Sequence, residues 1–122
     1  MTGVDLAVFA AEARRLSLLA GRELLRQRQT HVQASSKGTR RELVTAADRA
    51  AEQIVVGGLL AAFPEHAVLA EEGVLTTQGV ASKRADWTWI VDPLDGTTNF
   101  AHGLPHFAVA IALAHHGVPV VG

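Results

Sequence analysis

The stretch Trp89–Phe100, WIVDPLDGTTNF, is the part of the chain from which the rest is best read. Trp89, Ile90 and Val91 favour a strand and run straight into Asp92. Pro93 biases Asp92 to extended backbone, so Asp92 is the expected last residue of that strand. A turn should follow and bring Asp92 and Asp95 to within ~5–6 Å of each other. Two carboxylates at that separation repel, and a cation between them relieves the repulsion. Mg²⁺ is a hard cation that takes a few carboxylate oxygens, several waters and substrate phosphate, and the Leu94 carbonyl is a further candidate ligand. Gly96 lets backbone approach a ligand closely. The GTTN run at 96–99 offers hydroxyl and amide caps for a helix or turn whose free N–H groups would face an anion. Two metal ligands beside a phosphate cradle suit metal-assisted phosphoester hydrolysis. The plain alternative is an Asp-Pro-x-Asp-Gly turn with no chemistry at all. The spacing excludes an EF-hand calcium loop, and there is neither a Walker lysine loop nor a dinucleotide glycine pattern.

Around this stretch the pattern is that of an α/β chain. Leu6, Phe9, Ala13, Leu16, Ala20 and Leu24 recur at steps of three and four, which predicts an amphipathic helix over about 4–28. The polar, basic segment 30–44 reads as a loop or hairpin. A second helix is expected to start at Thr45 as N-cap, with Asp48 three residues on, and to end before Pro64. Its close-packing face is read as Ala51, Ile54, Gly58, Ala61 and Ala62. HAVLAEEG at 66–73 reads as a short strand ending in Glu71 and Glu72, and VLTTQGVASKRAD at 74–86 as a loop. FAVAIALA at 107–114 is apolar on both faces and reads as a central strand. His115–Gly117 should turn, and VPVVG at 118–122 should open a further strand. That last feature makes the chain the expected N-terminal part of a longer domain. Of the six histidines, His115 and His116 are expected in solvent, while His66, His102 and His106 stand isolated. Trp87 and Trp89 alternate along a strand as packing residues.

Composition narrows the function classes. The chain has 122 residues, 48% hydrophobic and 19% charged, which fits one globular domain and not a disordered segment. The formal net charge is −1, so neither nucleic acid nor an anionic membrane surface is the expected partner. No cysteine is present, which excludes disulfides and thiolate chemistry and fits a reducing, cytoplasmic setting. The longest apolar run, at 107–114, falls far short of the ~20 residues a spanning helix needs. The N-terminal stretch lacks the order of charges of a signal peptide.

WIVDPLDGTTNFAHGLPHFAVAIAL closely resembles the central signature of the inositol monophosphatase family. KGTRRELVTAAD (Lys37–Asp48) and FPEHAVLAEEG (Phe63–Gly73) resemble two more of its motifs in the same order. Thr98 and Asn99 after the DGT look like the inositol monophosphatase branch. Histidinol-phosphate phosphatases and other sugar phosphatases share much of the signature.

The resemblance implies a layered α/β (α+β) sandwich, here as two N-terminal helices on a partial, mainly antiparallel sheet. It implies Mg²⁺-dependent hydrolysis of a small phosphate monoester, inositol 1-phosphate before others, by metal-activated water attacking in line. Glu71, Asp92 and Asp95 with the Leu94 carbonyl match the metal ligands. Asp48 and Thr97 match a pair that prepares the water near Glu71. Gly96 and Thr97 match the phosphate-holding N–H groups, Asp95 a residue that also meets substrate, and Lys37 a basic residue on a loop near the site. A homodimer is implied for the full-length protein. The family's further Trp-Asp motif is not in this sequence, so the isolated chain is expected to have little activity. The rival reading is a non-catalytic relative that binds metal or mediates dimerisation.

Overall fold

The computed structural model describes residues 5–34, 40–70, 73–75 and 86–122. The first helix, α1, spans Leu6–Ala34, and the second, α2, spans Arg40–Ala62. Then come β1 (Ala67–Ala70), β2 (Gly73–Leu75), β3 (Trp87–Asp95), the short helix α3 (Thr97–Ala101), β4 (Ala108–His115) and β5 (Val118–Val121).

Asp5 caps α1: its Oδ1 accepts the Ala7 N–H at 2.9 Å, satisfying one of the free donors at the helix start. Ala13, Leu16, Ala20 and Leu24 form the buried stripe, each 7% exposed or less. The helix does not stop near Arg28 as its stripe suggests but continues to Ala34, through part of the segment read as a loop.

Helix α2 likewise begins five residues before the expected cap, so Thr45 is an exposed interior position. Arg40, Arg41 and Glu42 are good helix formers, and Leu43 is already buried. The core-facing row is Leu43, Ala47, Ala51, Val55 and Leu59, in steps of four. Ala61 and Ala62 are exposed, contrary to the face read from sequence. Gly58 does what that reading asked of it. A Cβ there would stand 2.3 Å from Leu16 Cδ2, so the glycine sets how closely α1 and α2 approach.

Among the described residues the sheet has five strands in the order β2-β1-β3-β4-β5. Only β1 and β3 run parallel, and the other three pairings are antiparallel, so the sheet is mainly antiparallel as expected. Three features of the sequence reading change. Val74 and Leu75, read as the start of a loop, belong to the strand Gly73–Leu75, where Val74 pairs with Leu69. β3 does not end at Asp92 but runs through Pro93 to Asp95. β4 is not the central strand its apolar run suggested: β3 is central, and β4 lies between it and β5.

Both long helices cover one face, α1 over β4 and β5, α2 over β3 and β1. Val68, Trp89, Val91 and Leu113 point into that core, all 2% exposed or less. On the other face Leu69 and Ile90, paired across β1 and β3, stay 40% and 44% exposed.

At the end of the sheet away from Asp95, aromatic rings form a column. His66 stacks on Phe63 at 5.0 Å and faces Trp87 at 5.8 Å, and Trp87 stacks on His115 at 3.9 Å. The Trp89 indole N–H donates to His66 Nδ1 at 2.9 Å. His66 is therefore a packed acceptor, not an isolated group, and burial pushes its pKa down against a weaker upward pull from Glu65. His115 is half-buried by its stacking, while His116 is exposed as expected.

Candidate active site

The β3–β4 ladder pairs Asp92 with Ala110 and Asp95 with Ala108. Three steps on β3 thus match two on β4, so β3 carries one extra residue between the aspartates. In a regular strand, residues three apart point to opposite faces. The bulge cancels that alternation and brings Asp92 and Asp95 to the same side, because their partners Ala110 and Ala108 share a side. Pro93, which has no N–H to give a ladder, is tolerated at such an irregularity and is fully buried there. Leu94 is also buried, at 1%, and fixes the bulge from the core side. The side shared by the aspartates is the one the long helices leave uncovered, since Asp92 lines a groove with Leu69, Ile90 and Ala112.

Asp92 is half-buried and Asp95 exposed. Asp92 Oδ1 accepts the Leu94 N–H over a long 3.3 Å, which leaves most of its acceptor capacity open. Among the described residues, neither aspartate is in an ion pair. Two same-side carboxylates with hard oxygen donors, flanked by a backbone turn, fit a Mg²⁺ ion by donor chemistry.

Gly96 follows with φ 91° and ψ 41°, the left-handed region that glycine enters without penalty. It is the N-cap of α3, and no side chain caps that helix, so the hydroxyl or amide cap read from GTTN is not formed. The reason is crowding: a Cβ at Gly96 would meet the His106 carbonyl at 2.8 Å and Phe107 Cα at 3.2 Å. Only glycine fits that close approach, and its backbone makes the turn. The Phe100 N–H donates to the Gly96 carbonyl at 3.0 Å, and Phe100 is buried against the core.

Thr97 is exposed at the start of α3 and lines a groove with Arg41, Val44 and Thr45 of α2. Asp48, half-buried, lies one turn further along that same face of α2. The structure therefore places Asp92, Leu94, Asp95, Gly96 and Thr97 along the end of β3 and the start of α3, with Thr97 against the α2 face that also carries Asp48. Glu71 and Lys37 lie outside the described residues, and Ala70 just before Glu71 pairs with Val91 just before Asp92. Among the described residues no group of three or more His, Cys, Asp or Glu could hold a metal ion. Arg41 was not singled out from sequence, and Asn99 was read as a possible cap and a branch marker, not as a donor to the His106 carbonyl. Arg41 sat in a segment read as loop, and only the helical spacing 41, 44, 45, 48 places it beside Thr97.

The sequence profile of the inositol monophosphatase family matches residues 5–122. A Nus factor SuhB of Pseudomonas aeruginosa is 52% identical over 77 residues, 63% of this chain and 28% of that protein. An inositol-1-monophosphatase of Rhizobium meliloti is 45% identical over 87 residues, 71% of this chain and 31% of that protein. The solved inositol monophosphatase of Anabaena superposes with a TM-score of 0.71 at 38% identity, covering 95% of this chain and 38% of that one. The chain thus spans about a third of the length of the curated relatives it matches. A profile that takes in both helices, every strand and the aspartate turn leaves one assignment: the chain belongs to the inositol monophosphatase family.

Proposed function

We propose that this chain supplies the N-terminal part of a Mg²⁺-dependent phosphate monoester hydrolase whose substrate is inositol 1-phosphate. The observation that carries the reading is the bulge that turns Asp92 and Asp95 to one side, directly before a left-handed glycine and Thr97. In this reading Asp92, Asp95, Glu71 and the Leu94 carbonyl hold the metal. The ion would neutralise charge on the phosphate and raise the acidity of the attacking water. Asp95 would also orient the substrate hydroxyl side. The Gly96 and Thr97 N–H groups would hold phosphate oxygens, with Lys37 lending positive charge nearby. Asp48 would accept the proton that the Thr97 hydroxyl passes on as water attacks, which fixes the direction of approach. The Rhizobium meliloti relative bears the name of this activity, which supports the choice of substrate.

The relatives are about three times as long as the segment they share with this chain, so the activity is proposed for a complete domain, and a homodimer for the whole protein. The proposed reaction partner is a small phosphate monoester, and the cytoplasm is the proposed setting. No described helix is long and apolar enough to cross a membrane. The test grafts this chain in place of the matching segment of the Rhizobium meliloti relative. Mg²⁺-dependent phosphate release that is lost in Asp92→Asn supports the reading. Equal release by Asp92→Asn overturns it. Faster release from histidinol phosphate than from inositol 1-phosphate would keep the chemistry and change the substrate.

A further inference from the structure

Asn99 stands on α3 two residues after Thr97. Its Nδ2 donates to the His106 carbonyl at 2.9 Å, and its main-chain carbonyl accepts the Leu104 N–H at 2.9 Å. The same His106 carbonyl is the atom nearest the point where a Gly96 Cβ would stand, at 2.8 Å. One carbonyl therefore rests against the Gly96 turn on one side and takes the Asn99 amide on the other. Asp95 and Ala108 form the last rung of the β3–β4 ladder, two residues beyond that carbonyl. Arg28 of α1 holds the same return segment from outside, its Nη2 donating to the Gly103 carbonyl at 2.5 Å. Below it, the Phe107 and Phe100 rings meet edge to face at 5.0 Å. Ring contacts and van der Waals contact tolerate small slides, whereas a hydrogen bond is directional. The Asn99 amide is thus the directional side-chain contact that sets where the His106 carbonyl sits against Gly96.

We propose that Asn99 is a positioning residue for the Asp95–Gly96–Thr97 turn, acting through the His106 carbonyl and not by touching phosphate. The inference rests on the hydrolase reading for its kinetic consequence and on the geometry alone for its structural one. An outer partner that orients a site typically changes activity about 10–100-fold when removed.

Two substitutions test it. Asn99→Asp keeps the shape but, ionised, has no donor and sets a negative charge against a carbonyl. Asn99→Ala removes the group without adding charge. In the graft with the Rhizobium meliloti relative, both are expected to lower kcat at least about tenfold while KM changes by less than about twofold. In the 122-residue chain, amide NMR should show the Gly96 and Thr97 resonances displaced in both variants. A lowered melting temperature with kcat and those resonances unchanged overturns the proposal, since that is what a merely structural contact gives. If the unsubstituted graft releases no phosphate, the hydrolase reading fails by itself. The resonances then decide alone: displacement in both variants supports the coupling, and unmoved Gly96 and Thr97 amides overturn it.

Discussion

Adjacent glycines in α2 should respond to the same substitution with opposite signs. Gly57 is exposed, and among the described residues a Cβ there meets nothing within 4 Å. Gly58 faces α1, where a Cβ would stand 2.3 Å from Leu16 Cδ2 and 2.9 Å from its Cδ1. Alanine in place of glycine in a helix interior is worth about 0.8–1 kcal/mol. Gly57→Ala should gain that amount. Gly58→Ala gains the same propensity but must displace Leu16, which is only 2% exposed and sits within the core. Overpacking of this kind costs about 1–3 kcal/mol. The net for Gly58→Ala is a loss of about 1 kcal/mol, so the variants should differ by about 2 kcal/mol. For a chain of this size that separates their melting temperatures by roughly 6–10 °C. Circular-dichroism melts of the two variants measure it. Trimming Leu16 in the Gly58→Ala background should cost less than in the wild type, because the clash goes with the methyl groups. Equal stabilisation by both alanines would refute the close helix contact, and so would strict additivity with the Leu16 change.

Further outcomes follow from other contacts. Gly96→Ala should cost at least about 2 kcal/mol, from a left-handed backbone and a clash with a carbonyl oxygen that cannot rotate away; urea titration measures it. His66 has a folded pKa held below its ordinary 6.5 by burial, so between those values the unfolded chain binds more protons. Stability is therefore full above pH 6.5 and should fall as pH drops below it. The slope should flatten in His66→Gln, which also accepts the Trp89 N–H; a pH series of melts checks both. Trp89→Phe should lose the indole donor to His66 Nδ1 and lower the melting temperature, read in the same series.

The fold was legible where burial alone sets the pattern. The stripe Ala13, Leu16, Ala20, Leu24 and the apolar run of β4 each stated their element directly. Helix ends were less legible. Thr45 looks like a cap, yet the burial of Leu43 extends the helix back past it, a tertiary effect that local capping chemistry does not record. Asp92, Asp95, Gly96 and Thr97 were legible as a cluster because they are contiguous. How they come to share a side was not, because an odd spacing of three argues against it until the bulge is seen. Pro93 misled for a related reason. Its bias of Asp92 to extended backbone was read as a strand end, but a bulge accommodates the proline within β3. The Asn99–His106 contact spans seven residues around a turn and leaves no periodic trace.

The most direct measurement is phosphate release from inositol 1-phosphate by the graft of this chain with the Rhizobium meliloti relative, compared with its Asp95→Asn variant across a Mg²⁺ titration. Saturable Mg²⁺-dependent release is predicted for the unsubstituted protein, with a loss of at least about a hundredfold in the variant. Release that is independent of Mg²⁺, or that survives the loss of the Asp95 charge, would contradict the role assigned to the aspartate turn.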